Sequence, residues 1–108
     1  MTVKYIVTKS EFEAVTGNGV SLVAFGTSWC APCRLQEPII DNLAGIFQSQ
    51  ATFAEVDVDE NREIARSCNI RNIPTLILYK NGREIIRFTG LQSQSVLSEA
   101  LEKPLARS

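Results

Sequence analysis

Apolar positions along this 108-residue chain alternate between the spacing of strands and that of helices. Residues 3–7 form a run of β-branched and aromatic side chains, which predicts a short strand. Ser10 and Glu13 then match a Ser-x-x-Glu capping box. This box predicts a short helix that has Phe12 and Val15 on its apolar face.

The next part of the chain predicts a buried strand followed by a long helix. Residues 20–25 are almost all apolar, which is typical of a central strand buried on both faces. From residue 30 to about 48, apolar side chains recur at steps of four. Pro38 predicts a kink in this helix, because it removes the bond to the carbonyl of Arg34. The apolar face comprises Leu35, Ile39, Leu43 and Phe47.

The second half of the chain predicts a strand, a short helix and a hairpin. Apolar and acidic residues alternate over 54–59, which indicates a strand with one apolar face. Charges of both signs over 60–67 indicate a short helix with a solvated face. The Asn-Gly pair at 81–82 predicts a tight hairpin between strands 75–80 and 83–89, because both turn positions need a positive φ.

A last amphipathic helix is predicted around Leu97 and Leu101, and we expect it to end at Pro104. The elements thus follow the order β-α-β-α-β-α-β-β-α. This order predicts an α/β fold with a central mixed sheet flanked by helices on both faces. The length predicts that residues 1–108 form a single domain.

Composition and charge exclude several function classes. Eleven Lys and Arg against twelve Asp and Glu give a net charge of −1, which argues against binding to nucleic acid or to a membrane surface. No apolar run approaches the roughly 20 residues of a membrane helix, and no signal peptide is expected at the N-terminus. Three cysteines, an odd number, disfavour a secreted disulfide scaffold and indicate a cytoplasmic protein.

Residues 29–33, Trp-Cys-Ala-Pro-Cys, carry the most evident chemistry and stand where the buried strand gives way to the long helix. A helix N-terminus favours a thiolate, so Cys30 is expected to be the exposed nucleophile. Cys33, one turn further along, is expected to be the more buried resolving thiol. Pro32 suits the first turn, where its missing N–H is not needed. This arrangement predicts thiol–disulfide exchange.

Two other uses of a Cys-x-x-Cys pair stay open from the residues alone. Half of a zinc site is one, but zinc takes four ligands, and the chain offers no His and only Cys68 besides this pair. No metal site is therefore expected. A purely structural disulfide is the other, although so small a ring would remove little chain entropy. The strand-to-helix junction favours the redox function.

Several motifs occur in a fixed order along the chain: Trp29-Cys30-Ala31-Pro32-Cys33, Asn72-Ile73-Pro74-Thr75, Lys80-Asn81-Gly82 and Gly90. Together they resemble the thioredoxin family, and the similarity extends from about residue 3 to residue 101. The resemblance implies a thioredoxin fold and an enzyme that reduces disulfides in partner proteins.

The resemblance also implies roles for single residues. Cys30 matches the attacking cysteine, Cys33 the resolving one, and Trp29 the tryptophan beside the disulfide. Pro74 matches a cis-proline facing the disulfide, and Ile73 the residue whose backbone pairs with the substrate chain. Gly90 matches the glycine that keeps the substrate groove open. Ala31 and Pro32, the two residues between the cysteines, also belong to the active-site groove.

No bound cofactor is implied by the resemblance. Reducing equivalents would come from NADPH through a separate thioredoxin reductase, which would be a partner together with disulfide-containing proteins. We expect a monomer. Two alternatives stay open: an oxidant or isomerase with a less reducing potential, and a non-catalytic binding subunit with the same fold.

Some residues depart from the family pattern. Ala24 stands where the family usually has a buried Asp that takes the proton of the resolving cysteine, and Gly26 where it often has an aromatic residue. Glu55, on the strand expected beside Ala24, is either a replacement proton acceptor or a solvated strand residue. Cys68 is either a regulatory thiol near the substrate face or a small, semi-buried apolar residue.

Overall fold

A mixed five-stranded sheet with helices on both faces organises residues 3–106, the part of the chain that this computed structural model describes. The predicted order of elements is confirmed. The elements are β1 (Val3–Ile6), α1 (Lys9–Thr16), β2 (Val20–Gly26), α2 (Ala31–Ile46), β3 (Ala51–Asp57), α3 (Arg62–Ser67), β4 (Thr75–Lys80), β5 (Arg83–Thr89) and α4 (Gln94–Ala106). The strand order is β1-β3-β2-β4-β5, with the first three strands parallel and the last two antiparallel to their neighbours.

The two faces of the sheet bury separate apolar clusters. Leu22 of β2 packs in the cluster beneath α2 and α4 with Leu43 and Leu101. Phe25 points to the other face, where Phe12 of α1 packs against the second cluster. Residues 20–25 lie between both clusters, so the prediction of a central strand buried on both faces is confirmed. The end of this strand is therefore held firmly in place.

The hairpin has the bounds that the sequence predicts. Asn81 and Gly82 have φ values of 52° and 86° and join β4 to β5. Strand β3 differs from its prediction, because it starts earlier, at Ala51, and ends at Asp57. It also has apolar residues on both faces, since Phe53 joins the cluster under α2 and α4 while Val56 joins the other.

Helix α1 begins one residue before the predicted cap, so the Ser10–Glu13 capping box is wrong. Thr8 is the N-cap, and its Oγ1 accepts a hydrogen bond from the Glu11 N–H at 3.0 Å. The Glu11 carboxylate accepts in turn from the N–H groups of Thr8 and Val7, at 3.1 and 2.8 Å. This box satisfies the N–H groups of Val7, Thr8 and Glu11 at the start of the helix.

The apolar face of α2 is rotated from the predicted one. Leu35 is 61% exposed, whereas Gln36 and Ile40 are buried against the sheet together with Leu43. A helix has 3.6 residues per turn, so side chains spaced four residues apart shift gradually around its surface. A row of such side chains therefore faces the core at one end of the helix and solvent at the other.

Pro104 does not end α4, which continues to Ala106. The side chain of Pro104 is buried, and its carbonyl oxygen accepts a hydrogen bond from Lys80 Nζ at 2.8 Å. These contacts offset the backbone hydrogen bond that a proline cannot make.

Candidate active site

The two cysteines of the Cys-x-x-Cys motif form a disulfide at the N-terminus of α2. Cys30 is the N-cap residue, Ala31 and Pro32 follow in the first turn, and the Cα atoms of Cys30 and Cys33 are 5.2 Å apart. Cys30 Sγ accepts a hydrogen bond from the Cys33 N–H at 3.3 Å. The sulfur thus occupies the place of a capping oxygen, where free N–H groups and the helix dipole stabilise negative charge.

The expected difference in exposure between the two cysteines is wrong for this disulfide form. Cys30 is 6% exposed and Cys33 is 7% exposed, so neither residue is clearly the more accessible one. The disulfide and the hydrogen bond from the Cys33 N–H to Cys30 Sγ hold the two residues together in this form.

Trp29 lies beside the disulfide and is fixed to the loop after β3. Its ring is 69% exposed, yet Nε1 donates a hydrogen bond to Asp59 Oδ2 at 2.8 Å. Asp57 Oδ1 accepts from the N–H groups of Asp59 and Glu60 at 2.9 and 3.2 Å, which orders this loop. Neither aspartate was predicted as a site residue, although an Asp that accepts from backbone N–H groups shortly after it is typical of a turn.

The cis-proline loop forms another wall of the site. The Ile73–Pro74 peptide bond is cis, and Pro74 lines the same cavity as Cys33. The Pro74 carbonyl accepts a hydrogen bond from Gly90 N–H at 2.7 Å. Gly90 has a φ of 92°, a backbone conformation that favours glycine. The structure therefore places Ile73, Pro74 and Gly90 together, beside the start of β4 and the end of β5.

A buried amide holds α2 against the loop that carries Gly90. Gln36 is 2% exposed, its Nε2 donates to the carbonyl of Gln92 at 3.0 Å, and its Oε1 accepts from the Gln92 N–H at 2.8 Å. Gln36 was not predicted as a site residue, because a polar residue within an amphipathic helix is usually exposed. Its reciprocal pair of hydrogen bonds links the helix of the disulfide to the groove.

A cavity of about 270 Å³ lies beneath the disulfide, between α2 and the parallel strands. Ala24 and Gly26 of β2 contribute little side-chain volume to it, while Cys33, Gln36 and Glu55 line its walls. Ala24 pairs with Glu55 in the parallel register of β2 and β3, so the expected adjacency is confirmed. The Glu55 side chain therefore shares the face and the cavity of the resolving position.

Glu55 is half-buried, with other carboxylates nearby. Burial, reinforced by the negative charges of Glu37 and Asp41 on α2, raises the pKa of Glu55 to about 7. This carboxyl group therefore titrates close to neutral pH, unlike a solvated strand residue.

Cys68 lies away from the disulfide. It caps the C-terminus of α3, is half-buried and packs against the apolar cluster on the α1 side of the sheet. Its Sγ is 3.7 Å from the hydroxyl of Tyr79. Burial and this contact raise the pKa of Tyr79 above its usual value. The structure thus gives Cys68 a packing partner and does not bring it to Cys33.

Neither a membrane span nor a metal cluster was found in the described part of the chain. Within residues 3–106, no helix is long and apolar enough to cross a membrane. Nowhere in this range do three or more His, Cys, Asp or Glu side chains lie close enough together to hold a metal ion.

A disulfide that caps a helix at the end of a central parallel strand, beside a cis-proline, defines a dithiol–disulfide oxidoreductase. The profile of the family described as thioredoxin matches residues 3–103. The chain belongs to the thioredoxin family. The thioredoxin of Staphylococcus epidermidis is 38% identical over 99 residues, which cover 92% of this chain and 95% of the relative. That of Staphylococcus aureus is 36% identical over the same shares.

Solved structures of thioredoxins share the fold. A mutant thioredoxin from Halobacterium salinarum has a TM-score of 0.88 and 35% identity, covering 94% of this chain and 89% of that one. The oxidised thioredoxin of Plasmodium falciparum has a TM-score of 0.82 and 32% identity, covering 94% and 97%. Together with the Cys30–Cys33 disulfide, these similarities make the chain a protein-disulfide oxidoreductase of the thioredoxin type.

Replacing Gln36 with Leu should lower the free energy of unfolding by about 2 kcal/mol, because the N–H and carbonyl of Gln92 lose their partners. Chemical denaturation measures the change. Gln50→Leu, at an exposed position, is the control and should have little effect. An unchanged stability of the Gln36 variant would show that the amide pair is not a structural link.

The raised pKa of Glu55 predicts a dependence of stability on pH. Between its ordinary pKa of 4.5 and its folded pKa of about 7, the folded protein binds this proton more tightly than the unfolded chain. Stability from this group is therefore lost as the pH rises through that window. Glu55→Gln should flatten the dependence and stabilise the protein at pH 8 by about 1 kcal/mol, since solvent screening reduces the full effect.

Denaturation curves between pH 5 and pH 8 test this expectation, with Glu63→Gln on the exposed face of α3 as the control. A Glu55→Gln variant with the pH dependence of the wild type would mean that Glu55 is already ionised at low pH in the folded protein.

Proposed function

We propose that this thioredoxin-family protein reduces disulfides in partner proteins, with Cys30 as the nucleophile and Cys33 as the resolving thiol. The observation that carries the proposal is the position of Cys30 Sγ at the N-cap of α2, where it accepts the Cys33 N–H. A thiolate formed there by reduction would be stabilised by the same donor and by the helix dipole.

The reaction proceeds in two exchanges. The Cys30 thiolate attacks one sulfur of the substrate disulfide, forms a mixed disulfide and releases the other substrate sulfur as a thiolate. Cys33 then loses its proton and attacks Cys30 Sγ, which releases the second substrate thiolate. The substrate gains two electrons, and the protein is left with the Cys30–Cys33 disulfide seen in the structure.

The substrate chain would lie in the groove around the disulfide. Trp29 on one side and Leu91, next to Gly90, on the other are 69% and 45% exposed, which supplies apolar contact surface. The backbone of Ile73, before the cis-proline, would pair with an extended substrate segment as a short added strand. The exposed pair Ala31-Pro32 would form the rim between the cysteines.

The remaining features of the proposal follow the family. Residues 1–108 would act as a single domain and as a monomer in the cytoplasm, without a bound cofactor and without nucleic-acid or membrane partners. A separate thioredoxin reductase would return electrons from NADPH to the Cys30–Cys33 disulfide. The substrates would be disulfide-containing proteins.

The direction of the reaction is tested by the reduction potential of the Cys30–Cys33 pair. The protein is equilibrated with thiol–disulfide buffers of defined potential while the fluorescence of Trp29, the single tryptophan of the chain, is followed. We expect a reduction potential of about −270 mV, which is typical of thioredoxin. A value above about −200 mV would instead indicate the oxidant or isomerase alternative.

Replacing both cysteines, Cys30→Ser and Cys33→Ser, distinguishes an enzyme from a binding subunit. The double variant should lose all disulfide reduction, whereas Cys68→Ser should keep it. If the double variant fulfils the cellular role of the wild type without reducing disulfides, the chain acts as a binding subunit and the redox proposal is wrong.

For Cys68, the half-buried position and the contact with Tyr79 support the packing role over the regulatory one. We expect intact-mass analysis of the oxidised protein after mild peroxide treatment to show an unmodified Cys68 thiol and no intermolecular dimer. Addition of oxygen or of a second chain at Cys68, absent from Cys68→Ser, would instead support a regulatory thiol.

A further inference from the structure

The resolving step requires a group that takes the proton of Cys33. While Cys30 is bound to substrate, Cys33 is a thiol, and only its thiolate can attack Cys30 Sγ. The identity of this proton acceptor is a question that rests on the proposed function, because it concerns the same two cysteines.

Cys33 Sγ lies directly over Gly26. A Cβ atom built on Gly26 would be only 2.8 Å from this sulfur, which places the sulfur at the end of β2 on the cavity side. Gly26 and Ala24 are two residues apart on β2 and share that face of the sheet. The absence of larger side chains at these positions leaves the space between the sulfur and β3 open.

Glu55 faces the same space from the neighbouring strand. It pairs with Ala24, while Asp57 pairs with Gly26. With strands about 4.8 Å apart and a rise of about 3.3 Å per residue, the Cα atoms of Gly26 and Glu55 are about 8 Å apart. Both Cys33 and Glu55 line the cavity, so one or two water molecules would span the gap from sulfur to carboxylate.

The cavity is partly open to solvent, and polar side chains stand among the mainly apolar residues of its wall. Gln36, Glu55 and Asn61 all line it. A space of about 270 Å³ has room for several waters at about 30 Å³ each. Water can therefore enter between the Cys33 sulfur and the Glu55 carboxylate.

We propose that the Glu55 carboxylate accepts the proton of the Cys33 thiol through water held in this cavity. The S–H proton passes to a water molecule, which passes a proton to Glu55. The thiolate left behind attacks Cys30 Sγ, and the substrate sulfur departs with the electron pair of the broken disulfide bond. Glu55, half-buried, later returns its proton to solvent.

The charges around Glu55 suit a proton acceptor that works near neutral pH. Glu37 and Asp41 face it from α2 and Tyr5 faces it from β1, while Asp57 and Glu60 line the same cavity. Burial and the α2 carboxylates raise the pKa of Glu55 to about 7. A base with such a pKa is efficient near pH 7, because about half of it is ionised and it still binds a proton well.

The test follows the two exchanges separately. Reduced protein in which Cys68 is replaced by Ser is mixed in a stopped-flow instrument with 5,5′-dithiobis(2-nitrobenzoate). The coloured thiolate of the reagent is then released once by the attack of Cys30 and once by the attack of Cys33. At pH 8, Glu55→Gln should leave the first phase unchanged and slow the second at least tenfold, since a positioned base typically contributes about 10²–10⁴-fold. Glu55→Asp should keep at least half of the wild-type rate, and Glu63→Gln all of it.

A purely electrostatic effect of Glu55 predicts the opposite sign. Removing a negative charge beside a thiol favours its thiolate, so Glu55→Gln would then resolve faster than the wild type at pH 7. An equal or faster second phase in Glu55→Gln therefore overturns the inference. If the wild type itself shows no second phase, the proposed function fails first, because Cys33 then does not resolve the mixed disulfide.

Discussion

The hydrogen bond from the Cys33 N–H to Cys30 Sγ joins the covalent chemistry of this protein to its fold. A sulfur atom takes the position in which most helices have a Ser, Thr or Asp oxygen, so α2 starts at the reactive group itself. The first turn of the helix then sets the distance between the two cysteines. Reactivity, helix start and disulfide geometry are consequences of one local arrangement.

This arrangement needs a rigid support, which the sheet provides. β2 lies between the two apolar clusters and ends directly before the loop that leads to Cys30. Around that end, the β3–α3 loop holds Trp29 through Asp59, and the cis-proline loop is bonded to Gly90. Ala24 and Gly26 add little side-chain volume within this frame, and the space beneath the disulfide is lined by the carboxyl group of Glu55.

The sequence was sufficient wherever the determining interactions are local. The Asn81–Gly82 turn was predicted with correct strand bounds because its residues impose their own φ values. Where two local patterns compete, the sequence could not decide. Thr8–Glu11 and Ser10–Glu13 both match a capping box, and the structure has the Thr8–Glu11 one. The burial of the α2 face likewise depends on where the sheet lies.

The site was predicted in the same uneven way. The motif at residues 29–33, together with its place between a buried strand and a helix, favours thiol–disulfide exchange, and the strand order brings Glu55 beside Ala24. The Trp29–Asp59 bond joins residues 30 apart, and the contact of Gln36 with residue 92 spans 56. No periodicity encodes such pairs. The cavity is equally hidden from the sequence, because its volume depends on how α2 sits over β2 and β3.

The Gln36–Gln92 pair has a consequence for recognition. It fastens the loop that follows Gly90 to the same helix that carries Cys33, while Gly90 is itself bonded to Pro74. The walls of the groove are thus preorganised relative to the disulfide. An extended segment that enters the groove does not have to order these walls, so the entropic cost of binding falls mainly on the segment itself. Chains that are already locally unfolded around their disulfide would therefore bind at the lowest cost.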